Sequence, residues 1–150
     1  MKQSEGNSIT LSIICTAAFA VMLAAADICG VWIARLAVGI SALMTASDIP
    51  LLLASLYTAS VPAWAALAKL YGLLRCAKEG GIFTARAVSM MRSVSYCCFA
   101  VGAVCLVSCL YYPVFFIPAA AAVFMGLIVR VVKNCFESAV AMKDELDLTV

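Results

Sequence analysis

A chain of 150 residues that is 66% hydrophobic and 12% charged, with net charge +2 and mean hydropathy +1.11, lies far outside the usage of soluble domains, roughly 45–50% apolar and 25% charged. That composition excludes a soluble globular domain and identifies an integral membrane protein. Eight cysteines without a CxxC pair, and no histidine, leave zinc-type ligand sets and thioredoxin-like chemistry without support, and no cofactor is expected.

A membrane-spanning helix needs about 20 mostly apolar residues to cross about 30 Å of hydrocarbon while satisfying its own backbone. Segments 9–29, 51–74, 94–112 and 114–132 meet or approach this length. The first ends near Ala24, Ala25 and Ala26, which imitate a signal-peptide cleavage site, but its charged lead is nearly neutral (Lys2 against Glu5) and its apolar run is too long. It is expected to remain as a span. The stretch "GVWIARLAVGISALMTASD", 30–48, is too short for a further crossing and reads as an interfacial helix. Asp48 is placed to cap the second span, and Pro50 falls in its first turn, where a missing N–H costs little. Pro62 lies mid-span and should free the Thr58 carbonyl and kink the helix, with Ser60 as one compensating donor.

In "AKEGGIFTARAV", 77–88, Gly80 or Gly81 supplies a left-handed helix end and Thr84 an N-cap, and Phe83 is placed to pack on Val88. Spans two and three thus form a hairpin whose tip, 75–92, carries Arg75, Lys78, Arg86 and Arg92. On the opposite side "YYPVFFIP", 111–118, should make a tight turn with aromatics at headgroup level. Small residues recur at three-and-four spacing in every span: Ala17, Ala20, Ala24, Asp27; Ser55, Ala59, Pro62, Ala66; Ser95, Cys98, Gly102, Cys105, Cys109; Ala119, Ala122, Gly126. Small side chains let membrane helices approach closely, so these stripes are the expected packing faces of an all-α, four-helix transmembrane bundle.

Orientation follows the placement of Lys and Arg. Lys2, Lys69, Arg75, Lys78, Arg86, Arg92, Arg130, Lys133 and Lys143 fall on one side and only Arg35 on the other. Both termini and the hairpin tip are therefore expected in the cytoplasm. Beyond the fourth span, 133–147 has an apolar face at Cys135, Ala139, Met142 and Leu146 and acids at Glu137, Asp144, Glu145 and Asp147, and should dock as a helix beside the basic tip. The embedded letters KDEL are not a retrieval signal here, because Asp147 and three further residues follow them. Cys76 and Cys135 sit where palmitoylation occurs, though position alone does not assign it.

Asp27 is the one acid well inside apolar sequence, and intramembrane acids are functional candidates by default. Proximity to water or Arg35 would make it structural; a polar pathway would make it an ion or proton site. Arg130, one turn before Lys133, is expected to snorkel to the headgroups. No phosphate loop, nucleophile with a base, or paired intramembrane carboxylates appear, so an enzyme is not expected.

"GGIFTARAVSMMR" and "FESAVAMKDELDLTV" together resemble, on a four-span frame, the bacterial membrane family catalogued as domain of unknown function 2975. Gly81, Ile82, Phe83 and Thr84 match that family's glycine-(Ile/Pro)-Phe-(Thr/Ser) turn, and Asp147, Leu148, Thr149 and Val150 match its Asp-Leu-Thr-(Ile/Val) end. Leu146 stands where the family often has Asn. The resemblance covers nearly the whole chain and implies no activity. Family genes often adjoin those of small helix-turn-helix regulators, which implies a cytoplasmic DNA-binding protein as partner.

The leading expectation is a single-domain, multi-pass protein of the bacterial cytoplasmic membrane that contacts lipids and presents a cytoplasmic surface to a protein partner, without binding nucleic acid itself. The alternative is a transporter or channel component with a polar site near Asp27. Self-association is left open.

Overall fold

The computed structural model describes residues 2–40, 49–78 and 84–148, and over them the chain is helical. Helix α1 spans Lys2–Ile28, α2 Gly30–Ile40, α3 Ile49–Lys78, α4 Ala85–Cys109 and α5 Phe116–Leu148, with a 3-10 turn at Pro113–Phe115. Four helical stretches, Ile9–Ile28, Ile49–Lys78, Ala85–Cys109 and Pro113–Met142, are long and apolar enough to cross a membrane. The apolar runs thus form the four expected elements, but α3 and α5 reach well past the hydrocarbon. At 1.5 Å per residue the 33 residues of α5 extend about 50 Å. Asp48, Gly80, Gly81, Ile82 and Phe83 lie outside the described residues.

The helices pack in chain order. α4 lies between α3 and α5, and α1 and α2 lie against α3. Among the described residues α1 does not close onto α5 to the same extent, so the bundle is open and its outer helices present apolar flanks. Phe19, Met22, Phe124 and Ile117 are exposed on those flanks, a surface that lipid covers.

The α4–α5 crossing is the tightest contact. Gly102 is buried, and a Cβ there would stand 2.8 Å from Cγ2 of Val123 and 3.4 Å from its backbone nitrogen. At Gly126 a Cβ would meet Cβ of Cys98 at 3.3 Å. The Ser95 hydroxyl donates to the Gly126 carbonyl at 2.9 Å, a bond that only such close backbones permit. Ala119 and Cys105 are buried in the same seam. The small-residue stripes of α4 and α5 therefore do what their spacing implied.

In α1 the stripe is rotated from expectation. Ala20, Ala24 and Asp27 are partly covered, but Ala17 is exposed and its neighbour Thr16 is buried. Thr16 tolerates this because its hydroxyl donates to the Ser12 carbonyl at 2.8 Å. At the other end of α4, Thr84 is an extended N-cap whose hydroxyl accepts from the Ala87 amide at 3.3 Å, as its position before the helix implied. The 111–118 turn differs in one respect. Tyr112 is turned inward and buried, its ring 6.2 Å from that of Phe115, while Tyr111 and Phe116 stay exposed.

Candidate functional site

Asp27 sits one residue before the end of α1, where the backbone bends at Cys29. The ladder resumes on either side, with the Cys29 amide on the Ala25 carbonyl at 2.8 Å and the Ile33 amide on the Cys29 carbonyl at 2.9 Å. The bend leaves the Asp27 carbonyl, one of the orphan acceptors of a helix end, open to a side chain. The Tyr57 hydroxyl of α3 donates to it at 3.2 Å. The carboxyl group itself is met by two further α3 donors: the Ser60 hydroxyl at 2.7 Å and the Trp64 indole N–H at 2.9 Å, both on Oδ2.

This corrects two expectations. Ser60 does not compensate the carbonyl freed by Pro62, because its proton is committed to Asp27, and α3 nonetheless continues as a helix through Pro62. Nor is Asp27 satisfied by Arg35. Residues 57, 60 and 64 recur at three-and-four spacing, so one face of α3 carries three polar tips on otherwise apolar bodies. Tyr57 and Trp64 were not singled out from sequence, although a Tyr-x-x-Ser-x-x-x-Trp stripe inside a span was the available signal. Their rings stay about half exposed toward lipid while the polar atoms turn inward.

Asp27 Oδ1 is sealed from the surface and has no hydrogen-bond partner among the described residues. A cleft of about 380 Å³ between α3 and α4 is lined by Ser55, Thr58, Ala103, Val107 and Tyr111. Another, of about 330 Å³, lies among Gly30, Ala34, Leu53, Leu56, Phe115 and Pro118. Both are walled chiefly by apolar side chains, and Asp27 lines neither.

The charged end is assembled by the same α4–α5 seam. Continuing the register of Ala119, Val123 and Gly126 by steps of three and four places Lys133, Glu137 and Val140 toward α4. Glu137 accordingly accepts from Lys133 Nζ at 2.6 Å and from Arg92 Nη2 at 3.4 Å. Val140 shares a cleft with Ala85, Val88 and Arg92. The expected apolar face at Cys135 and Met142 is therefore displaced: both are exposed, because the glycine crossing sets the helix rotation and those positions fall off its register. Ala139 is half-buried as expected.

Of the other charged candidates, Arg75, Lys78, Arg86 and Arg130 are exposed, and Arg75 and Lys78 line a cleft with Ile13 and Tyr71 between α1 and α3. Glu145 is exposed on α5. The side chains of Asp144, Leu146 and Asp147 lie outside the described residues. Among the described residues, no three His, Cys, Asp or Glu side chains are grouped to hold a metal ion.

Four apolar helices of spanning length, joined by small-residue crossings and bearing exposed apolar flanks, define a multi-pass helical membrane protein. Residues 7–150 match the family described as "Protein of unknown function (DUF2975)", and the chain belongs to that family. No curated protein and no solved structure matches it.

Proposed function

We propose that this chain is a non-enzymatic protein of the bacterial cytoplasmic membrane that presents the charged end of α3, α4 and α5 to a cytoplasmic protein partner. The observation that carries this reading is the continuation of α5 to Leu148, tied to α4 through Glu137 and Arg92. A helix of about 50 Å has roughly 13 more residues than the hydrocarbon requires. Those residues bear Glu137 and Glu145 beside α4, which carries Arg86 and Arg92, while Arg75 and Lys78 stand on α3 on the far side of α4. Isolated exposed ion pairs contribute only about 0–1 kcal/mol, so this array adds little to stability and is better suited to selecting a partner by charge. The partner class implied by the family is a small helix-turn-helix regulator.

A photo-crosslinking residue at Glu145 should capture one defined cytoplasmic protein from native cells, and the same residue at Tyr111 should not. Charge reversal at Arg86 should abolish that capture without changing the amount of membrane-inserted protein. Equal capture from both ends would sink the reading.

The orientation rests on nine Lys and Arg residues on one side against one on the other. A green fluorescent protein fused after Val150 should fluoresce, and a periplasm-dependent phosphatase fused there should be inactive. The opposite pair of results would invert the topology.

One observation favours a second reading. The buried, unpartnered Oδ1 of Asp27 is what a proton- or cation-coupled transporter would place in its path. The apolar lining of the neighbouring clefts and the two donors on Oδ2 favour a structural role.

A further inference from the structure

We infer that a cleft between α4 and α5 at the charged end binds the headgroup phosphate of an anionic phospholipid. Arg92, Ser95, Tyr96, Arg130 and Lys133 line it, around a space of about 50 Å³. Three cations thus meet at one place, and the acid beside them, Glu137, is engaged by two of them, Lys133 and Arg92. Arg130 and the Tyr96 hydroxyl, both on exposed residues, have no hydrogen-bond or ion-pair partner among the described residues. The Ser95 hydroxyl is spent on Gly126. The free donors are therefore an arginine fork and a phenol, aimed at the surface of the membrane domain and left with excess positive charge.

Depth decides the occupant. Arg130 lies about 21 Å, and Lys133 about 26 Å, along α5 from Phe116, whereas Glu137 lies about 32 Å away. With Phe116 at one edge of about 30 Å of hydrocarbon, the two cations start inside the opposite boundary and reach out to it. Their side chains end at the level of lipid phosphates, which a soluble protein's acidic surface reaches poorly. An unpaired guanidinium at that level is matched by a phosphate diester, which accepts two parallel N–H bonds. Basic pockets between spans hold anionic headgroups by this chemistry. The inference does not rest on the partner reading or on which side of the membrane the charged end faces.

Native mass spectrometry of the detergent-purified chain with added lipid tests it. Phosphatidylglycerol should be retained at one copy per chain and raise Tm, and phosphatidylcholine at the same mole fraction should do neither. Arg130→Gln should weaken phosphatidylglycerol retention about fivefold, equivalent to ~1 kcal/mol for one cation near the surface. Arg130→Lys should lose less, and Lys69→Gln, which removes an exposed cation of α3, should lose nothing. Unchanged retention in Arg130→Gln, or an equal loss in Lys69→Gln, would overturn the site. Equal stabilisation by inorganic phosphate would assign it to a free anion and overturn the lipid proposal, as would equal retention of phosphatidylcholine.

Discussion

Gly102→Leu should unfold the α4–α5 pair at markedly lower temperature or denaturant than the parent, while Val107→Leu should be neutral. The contrast follows from what each side chain would meet. A single added carbon at Gly102 already falls 2.8 Å from Val123 Cγ2, with the Val123 backbone nitrogen 3.4 Å away behind it. Valine in a helix is held to one strongly preferred rotamer, so it cannot swing aside, and the helices must separate. Overpacking of this kind costs about 1–3 kcal/mol. Separation would also break the Ser95–Gly126 bond, one interhelical hydrogen bond being worth about 0.6–2 kcal/mol in membranes. Val107 is 61% exposed at the cleft between α3 and α4 and has room for another methylene. Thermal scans of the three proteins in one detergent decide the matter. Equal midpoints for Gly102→Leu and Val107→Leu would show that the crossing does not hold the fold.

Removing both donors from the Asp27 carboxyl group should loosen α1 from α3. In Ser60→Ala/Trp64→Phe the carboxyl group stays in place, and Oδ2 loses both donors and joins the buried Oδ1 as an acceptor without a partner. Leaving a buried acceptor unsatisfied costs about 1–3 kcal/mol, and ~2 kcal/mol corresponds to about thirtyfold in an opening equilibrium. Amide exchange over 20–28 should accelerate by roughly that factor, with α4 and α5 little affected because α1 packs chiefly on α3. Asp27→Asn retains an acceptor oxygen for the same donors and should exchange only modestly faster. That variant also separates the two readings of Asp27. A structural lock survives the amide, whereas a proton- or cation-coupled site would lose transport in proteoliposomes while α1 stays protected.

The charge array at the other end has a different logic. Lys133 is largely covered, with 13% of its side chain exposed, and Glu137 is half exposed, so their pairing at 2.6 Å orients Glu137 more than it stabilises the helix. Arg92 completes a three-residue cluster across the seam. Arg130 remains outside that cluster.

Much of this molecule was determined by its linear pattern. Apolar run length dictates four spanning helices, because an unsatisfied backbone in hydrocarbon is too costly for any other element to form there. The Thr84 cap depends on the three residues that follow it, and the Gly102 and Gly126 crossings on small side chains at three-and-four spacing. All are local rules, readable before any fold is known. Tertiary structure decided what depends on helix rotation and on pairs distant in sequence. Asp27 lies 33 residues from Ser60 and 37 from Trp64, and no spacing rule joins them. Cys135 and Met142 form a plausible apolar face of α5 in isolation, yet the depth of the Gly102–Val123 contact fixes the helix rotation and turns that face outward. The stripe of α1 moved from Ala17 to Thr16 for the same reason: a helix of small and apolar residues offers several nearly equivalent faces, and only the neighbour it meets selects one.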